Sequence, residues 1–120
     1  MADLMHRGEE LPLVSADAPM REALLVMTEK RFGLAGVLSS DGTLAGVITD
    51  GDLRRHMEGL LDHRAGEVMT RAPKTATPAM LAAEALKLMN DNRITALFVV
   101  DAGRPVGVLH VHDLLRAGVV

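Results

Sequence analysis

The chain contains one sequence unit twice. The segment GVITDGDL at 46–53 matches GVLHVHDL at 107–114, 61 residues further along, and a pattern of Ala, Leu and Met at 23–27 recurs 62 residues later at 85–89. Because the separation hardly changes, two copies of a unit of about 60 residues fill the 120-residue chain. Any fold for this chain must therefore combine two similar units.

A third pair of matching segments opens the two copies. DLMH at 3–6 and EVMT at 67–70 lie 64 residues apart, and we call them the first and second lead segments. With them the repeats are predicted to span 1–60 and 61–120, and the two repeats together form one domain.

Each copy has the predicted order β-α-β-β-α. Met20, Ala23 and Met27 have the spacing of an amphipathic helix, and the two apolar runs that follow, separated by a Ser-Asp-Gly turn signal, are typical of strands. The first copy is predicted to have strands at 13–15, 34–38 and 44–49 and helices at 19–31 and 50–57. The second is predicted to have strands at 74–76, 96–100 and 106–110 and helices at 78–90 and 112–117.

This order predicts a mixed α/β (α+β) fold. Two helices cannot cover both faces of a three-stranded sheet, so one copy alone would leave a sheet face exposed. Two β-α-β-β-α repeats packed sheet to sheet, as a pseudo-twofold pair, would bury both faces. The need for that cover explains why the unit occurs twice.

Composition excludes several classes of protein. The aromatic share is 2%, without Trp or Tyr, and the net charge is −3, which argues against a nucleic-acid partner. The absence of Cys excludes disulfides and thiolate metal sites. Without a long apolar run or a signal peptide, we expect no membrane partner and a cytoplasmic location.

No catalytic constellation is present in the sequence. Nucleophile elbows, Walker-type lysine loops and metalloprotease motifs are missing. Asp50 and Asp52 are two carboxylates on one turn, but nothing places an acid and a base across a substrate. We therefore expect no catalytic residues and no enzyme activity in this chain.

The repeated unit resembles the cystathionine-β-synthase (CBS) domain. The element order and the ending Gly-apolar-apolar-Thr-x-x-Asp-apolar carry the resemblance, and residues 46–53 fit that ending fully. Residues 93–97 (RITAL) and 99–101 (VVD) also resemble the stretch around the second strand of CBS domains. The resemblance implies a pair of repeats that binds adenosyl nucleotides or related ligands and that forms a homodimer through its helices. Helix residues that fit such an interface equally fit a core: Met20, Leu24, Met27, Met80, Leu81 and Leu88.

A narrower resemblance joins the chain to one group of CBS proteins. Residues 49–55 (TDGDLRR) and 110–119 (HVHDLLRAGV), with the first lead segment, resemble the C-terminal CBS pair of bacterial arabinose 5-phosphate isomerases, which belong to the sugar isomerase (SIS)–CBS proteins. The resemblance implies a regulatory piece whose isomerase domain lies outside this chain, in carbohydrate metabolism leading to lipopolysaccharide. It implies no cofactor, and as effector either a nucleotide-sugar such as CMP-Kdo or an adenine nucleotide (AMP, ADP or ATP). A structural oligomerisation module with empty clefts and a free-standing adenine-nucleotide sensor remain alternatives.

The resemblance also nominates ligand-binding residues. In CBS pairs, a cleft that uses the Thr-x-x-Asp of one copy is completed by the lead segment and second strand of the other. Carried onto this chain, the cleft residues are Val47, Thr49, Asp52, Thr70, Ala72, Ile94, Thr95 and Ala96. Ile94 would lie against a base, although an ordinary core position is an equal alternative.

The chemistry of these residue types fits a nucleotide. Asp52 follows a strand at a helix start, where its carboxylate can accept hydrogen bonds from a ribose diol. Thr49, Arg54 and Arg55 can contact phosphate near the helix N-terminus. Against this, Asp52 and Thr49 are also common helix caps, and Arg54 and Arg55 also suit a solvated helix face.

The second copy departs from the motif. His110 replaces its Thr while Asp113 remains, so the imidazole either contacts a phosphate or fills the cleft and excludes a nucleotide. His6 and His110 are weak candidates for zinc ligands together with Asp113. Histidines that bind no metal are favoured, because no recognised metal-binding motif is present.

Overall fold

The structure, a computed structural model, describes residues 4–119. Its strands are β1 (Leu13–Ser15), β2 (Leu34–Leu38), β3 (Leu44–Thr49), β4 (Thr70–Arg71), β5 (Thr75–Ala76), β6 (Ala96–Asp101) and β7 (Arg104–His110). Its α-helices are α1 (Met20–Lys30), α2 (Asp50–Arg55), α3 (Ala65–Val68), α4 (Ala82–Asn92) and α5 (Val111–Arg116), with 3₁₀ turns at Gly8–Glu10 and Leu60–Asp62. The predicted mixed α+β class is confirmed. Met1 to Asp3 and Val120, which belong to the predicted repeats, lie outside the described residues.

Several element boundaries differ from the prediction, each for a local reason. The helix predicted from Pro78 begins at Ala82, because the carboxylate of Glu84 accepts the Leu81 amide (3.3 Å) and caps the helix there. The strand predicted from Val106 begins at Arg104. Ala102 and Gly103 both have positive φ, and the tight turn they form pairs Arg104 directly with Asp101.

The helix after β3 is shorter than predicted. It was expected to reach Met57 but ends at Arg55, where the His56 amide donates to the carbonyl oxygen of Asp52. Gly59, at φ +71°, then turns the chain toward the 3₁₀ turn at Leu60–Asp62. The chain between the repeats also forms α3, a single helical turn absent from the prediction.

The chain divides into two compact units. Residues 12–73 form the first unit, around a four-stranded sheet in the order β1-β2-β3-β4. β1 runs parallel to β2, and the pairs β2–β3 and β3–β4 are antiparallel. Helices α1 and α3 contribute the other half of its core, which consists of Val14, Ala18, Met20, Ala23, Met27, Ala35, Val37, Ile48, Ala65 and Val68.

Residues 4–11 and 74–119 form the second unit. Its sheet has the order β5-β6-β7, with β5 parallel to β6 and β6 antiparallel to β7. His6 forms an isolated bridge to Val108 on β7, so the end of the first lead segment pairs with this edge strand. The buried core consists of Ala76, Ala85, Leu86, Met89, Leu97, Val99, Leu109 and Leu114.

The two lead segments are exchanged between the halves of the sequence. The second lead segment ends in β4, which pairs with β3 of the first copy, at Val47↔Thr70 and Gly46↔Arg71. The first lead segment pairs with β7 of the second copy. The compact units therefore cross the predicted repeat boundaries of 1–60 and 61–120, and each predicted three-stranded sheet gains an extra segment.

The glycine of each repeated motif makes room for this exchange. A Cβ on Gly46 would lie 2.5 Å from the Thr70 carbonyl oxygen and 2.8 Å from the Met69 sulfur. A Cβ on Gly107 would collide with the Met5 side chain and lie 3.1 Å from the His6 carbonyl oxygen. The motif requires glycine because another chain segment crosses directly over it.

The helix residues that fit either an interface or a core differ in how deeply they are buried. Met20 and Met27 are buried in the core of the first unit. Leu24, Met80 and Leu88 are partly buried against a core, whereas Leu81 is 66% exposed. Among residues 4–119 no helix is both long and apolar enough to span a membrane.

Candidate ligand site at Asp52 and its counterpart at Asp113

The carboxylate of Asp52 is the most buried charged group of the described residues, at 2% exposure. It lies in the first turn of α2, and both of its oxygens accept hydrogen bonds. Oδ2 accepts the Thr49 amide (2.9 Å) and the Thr49 hydroxyl (3.2 Å), while Oδ1 accepts the Thr70 hydroxyl (2.6 Å) and a guanidinium N–H of Arg55. Four donors from three residues therefore converge on one carboxylate.

These donors determine the charge of Asp52. Burial alone would raise the pKa of its carboxyl, but the hydrogen bonds from Thr70, Thr49 and Arg55 outweigh burial and lower the pKa below its ordinary value of 3.8. The group is therefore an anion at neutral pH. In this structure Asp52 caps helix α2, because it accepts the amide of the N-cap residue Thr49. Capping is one of the two roles that the sequence predicts for Asp52.

Thr70 connects the second lead segment to this carboxylate. It follows Met69 directly and lies opposite Val47 in the β3–β4 pair. Ala72, next but one in the chain, has a left-handed backbone (φ +51°) and is exposed. The structure thus brings Val47, Thr49, Asp52 and Thr70 together at one edge of the first unit.

The other predicted site residues divide into two groups. Arg55 contacts Asp52 although its side chain is 63% exposed, and Arg54 lies on the exposed side of α2. Ile94, Thr95 and Ala96 belong to the second unit. There Ile94 is partly buried against the core, and the Thr95 carbonyl oxygen accepts the Val111 amide (2.8 Å). Their predicted place beside Asp52 stays a prediction.

Asp113 repeats the arrangement of Asp52 in the second unit. Its Oδ2 accepts the His110 amide (3.2 Å) and contacts Nε2 of His6 (3.0 Å), and its Oδ1 accepts a guanidinium N–H of Arg116. His110 corresponds to Thr49 and His6 to Thr70. Both hydroxyl donors of the first site are therefore replaced by imidazoles in the second.

Two participants in the second site were missing from the sequence prediction. Arg116 corresponds to Arg55 at the same offset of 61, so the repeat itself contains the signal for it. Glu10, whose carboxylate contacts Nδ1 of His6 (2.5 Å), lies in the 3₁₀ turn at Gly8–Glu10 and has no counterpart motif. Only the structure identifies that contact.

His110 is held as a neutral imidazole. Its Nδ1 accepts the His112 amide (3.1 Å), which requires that this nitrogen carry no proton. Burial lowers the pKa of His110 below its ordinary value of 6.5, and the nearby His112 lowers it further against the opposing effect of Asp113. The side chain therefore acts as a cap for α5 and not as a cation.

This shift predicts how His110 affects acid stability. Because its pKa is lower in the folded chain than in the unfolded chain, protons bind the unfolded chain preferentially as the pH falls below about 6.5. The contribution of His110 to stability is fully present above that pH and is lost as the pH falls. A His110→Thr variant, which gives the second copy the residue type of Thr49, should therefore keep more of its neutral-pH melting temperature at pH 5.5 than the wild type. Equal losses of melting temperature in the two proteins would contradict this assignment.

The histidines named as weak zinc candidates contact protein groups. Within residues 4–119 no three His, Asp or Glu side chains are grouped so that they could hold a metal ion. His6 instead contacts Asp113 and Glu10, and Nδ1 of His110 is engaged by the His112 amide. These contacts leave the two weak zinc candidates, His6 and His110, as partners of protein groups.

Comparison with protein families decides the identity of the repeat. The CBS domain family matches residues 1–59 and 65–120, which is almost the whole chain in two copies. The chain belongs to the CBS domain family. The recognition of two tandem CBS repeats from the motif at 46–53 and its counterpart at 107–114 is confirmed.

Curated relatives of this CBS pair are arabinose 5-phosphate isomerases. The chain is 52% identical over 122 residues to KdsD of Pseudomonas aeruginosa and 44% identical over 121 residues to KdsD of Escherichia coli K12. Each match covers 98% of this chain but 37% of the relative. The chain thus spans a little over a third of the length of these relatives, and the narrower resemblance is confirmed for this region.

Solved structures of CBS pairs share the fold. CBSX2 in complex with AMP is 27% identical, with a TM-score of 0.82, and the match covers 97% of this chain and 92% of that one. A CBS-pair structure of CBSX2 from Arabidopsis thaliana is 25% identical with a TM-score of 0.81, covering 97% and 91% of the two chains.

Proposed function

We propose that this CBS pair is the ligand-sensing region of an arabinose 5-phosphate isomerase. The identity of 52% over nearly the whole chain supports this assignment, and the isomerase activity would belong to the part of such a protein that this chain does not span. No residue of the pair is assigned a catalytic role. The location would be cytoplasmic, as for an enzyme of sugar-phosphate metabolism leading to lipopolysaccharide.

The ligand class that the site supports best is a nucleotide. The observation that carries the proposal is the likeness to a CBS pair crystallised with AMP, combined with an intact Thr49-x-x-Asp52 motif around a buried anion. AMP, ADP and ATP are candidates on this ground. CMP-Kdo is a second candidate, because it lies downstream of the sugar phosphate that the relatives are named for.

The contacts of Asp52 indicate how a nucleotide would enter. Its oxygens already accept four hydrogen bonds, so ribose hydroxyls can bind them only by replacing a donor. Arg55 is the donor that leaves most readily, because its side chain is 63% exposed and exposed ion pairs contribute only about 0–1 kcal/mol. The released guanidinium could then bind a phosphate of the same ligand.

This exchange predicts a preference for nucleotides over nucleosides. In calorimetric titrations of the chain with AMP, ADP, ATP, CMP-Kdo and adenosine, one nucleotide class should bind with Kd below about 1 mM, and adenosine should bind about tenfold more weakly. Arg55→Gln should abolish most of that difference, because the phosphate loses its partner while Asp52 becomes easier to reach. Arg54→Gln, a change of the neighbouring exposed arginine, is the matched control and should keep the preference.

Two outcomes would change the proposal. If no ligand of the panel binds at that level, nucleotide sensing is wrong for this chain. If a nucleotide binds but Arg55→Gln and Arg54→Gln bind it alike, the sensing proposal stands and the exchange at Asp52 is wrong.

Regulation would follow from unequal binding to two states of the attached enzyme. A ligand that binds one conformation of the CBS pair more tightly shifts the population toward it, and the isomerase domain would respond to that shift. We further propose that the pair forms a homodimer through its helices. The exposed side chains of Leu25 on α1, Leu115 on α5 and Leu81 before α4 support this assembly, since each leaves more than half of an apolar side chain in water.

A further inference from the structure

The imidazole of His6 lies between two carboxylates. Its Nδ1 is 2.5 Å from Oε2 of Glu10, and its Nε2 is 3.0 Å from Oδ2 of Asp113. The His6 side chain is 32% exposed, and that of Asp113 is 10% exposed. The ring is thus partly shielded from water, and each of its nitrogens faces an acceptor.

Both contacts can be hydrogen bonds to carboxylate anions only when the ring carries two protons. A carboxylate anion only accepts hydrogen bonds, and a neutral imidazole has a single N–H to donate. The neutral ring can satisfy Glu10 or Asp113 but not both, whereas the imidazolium satisfies both with charge-assisted hydrogen bonds. Loss of one proton therefore removes one hydrogen bond and the positive charge from the contact.

The backbone of the same residue fastens the first lead segment to the sheet. The His6 amide donates to the Val108 carbonyl oxygen (2.9 Å), and the Val108 amide donates to the His6 carbonyl oxygen (3.0 Å). This bridge is an isolated one, whereas the second lead segment forms a two-residue strand with β3. The attachment of the first lead segment therefore depends more heavily on the side chain of His6.

Thr70, the corresponding residue of the other copy, does not change its protonation near neutral pH. Thr70 fastens the second lead segment to Asp52 through its hydroxyl, and a hydroxyl has no protonation change near neutral pH. The contact of the second lead segment is therefore independent of pH. In the first lead segment, where His6 stands in place of a threonine, the contact depends on a proton.

We propose that His6 is a proton-dependent latch that holds the first lead segment on β7 and α5. Among the described residues, the titratable and charged groups at His6 and its partners include Glu10 from the 3₁₀ turn, Asp113, Arg116 and His112 from α5, and His110 from β7. His110 stays neutral through its bond to the His112 amide, so its ring adds no positive charge to this cluster. Protonation of the ring closes the latch, and loss of one ring proton loosens it. This inference does not require the chain to bind a nucleotide.

Amide hydrogen exchange of the intact chain tests the latch. Between pH 5.5 and pH 8, protection of the Val108 amide should fall about fivefold relative to the Thr49 amide, whose acceptor Asp52 stays charged throughout. In His6→Gln this fall in the ratio toward pH 8 should be absent. His6→Thr, which introduces the residue type of Thr70, should restore protection at pH 8 without restoring the pH dependence.

Separate variants keep the test decisive. Glu10→Gln keeps the size of the side chain and should reduce the pH dependence, because the ring then has one carboxylate partner in place of two. His110→Thr should leave the dependence in place, since His110 is not the latch. If His6→Gln and Glu10→Gln both show the wild-type change in the exchange ratio, the latch does not exist.

Discussion

Replacing Asp52 with alanine is expected to lower the melting temperature by about 10 °C. The substitution removes the acceptor of the Thr49 amide, the Thr70 hydroxyl and the Arg55 guanidinium. Asp52, which supplies this acceptor, is 2% exposed. Hydrogen bonds to a charged group contribute about 1.5–3 kcal/mol where the donor is shielded from water and less for donors that stay exposed, as Thr70 and Arg55 do, and the loss of the cap adds about 1 kcal/mol. A total near 3 kcal/mol gives the stated change for a chain of this size.

Asp113→Ala provides the comparison at the less buried copy of the site. Asp113 has the same position in its copy, but its side chain is 10% exposed and Arg116, which contacts it, is 74% exposed. Its removal should therefore cost about half as much. Equal losses of melting temperature, or a loss below about 2 °C for Asp52→Ala, would contradict the view that Asp52 holds the second lead segment in place.

Acid titration gives a second test of the same residue. The pKa of Asp52 is lower in the folded chain than its ordinary value of 3.8, so its contribution to stability is present above that value. This contribution is lost as the pH falls through the folded pKa. Asp52→Asn should therefore lose less melting temperature than the wild type between pH 5 and pH 3.

The structural role of Asp52 affects how ligand binding should be measured. A variant that is already destabilised loses thermal shifts for reasons unrelated to contact with a ligand. Arg55→Gln avoids this problem, because the Arg55 side chain is 63% exposed and its removal leaves three donors on Asp52. Direct calorimetry of that variant separates a lost contact from a lost fold.

Most of the fold could be predicted because the core elements have strong local patterns. Strands β1, β2 and β3 were predicted with their observed bounds, since apolar β-formers and turn signals delimit each of them. The exchange of lead segments could not be predicted from the residues. β4 consists of two exposed residues, Thr70 and Arg71. So short a segment has no hydrophobic pattern that predicts which distant strand it pairs with.

The site could be predicted to a similar degree. The repeat places Thr49 with Asp52 and His110 with Asp113, because caps act over three residues of sequence. The contact of Thr70 with Asp52 spans 18 residues and that of His6 with Asp113 spans 107, so pattern alone could not supply either one. The resemblance to CBS domains predicts Thr70 as a site residue, whereas the contact of Glu10 with His6 is visible only in the structure.

Gly46→Ala is expected to destabilise the first unit by about 2–3 kcal/mol. The added methyl group would lie 2.5 Å from the Thr70 carbonyl oxygen, a backbone atom that cannot move without breaking the pairing of β4 with β3. Relief therefore requires the second lead segment to shift, and that shift would also draw the Thr70 hydroxyl away from Asp52. Chemical denaturation of the variant measures the loss.

Two other glycines provide matched controls for this prediction. Gly51→Ala lies in α2, where the nearest neighbour is the flexible Arg55 side chain at 3.3 Å, and alanine favours a helix by up to about 1 kcal/mol over glycine. It should be neutral or stabilising. Gly107→Ala should cost less than Gly46→Ala, because its closest obstacle is the Met5 side chain, which can rotate, and the nearest backbone atom is 3.1 Å away. A Gly46→Ala variant as stable as Gly51→Ala would mean that the second lead segment does not cross β3 as described, and the contact of Thr70 with Asp52 would then be lost as well.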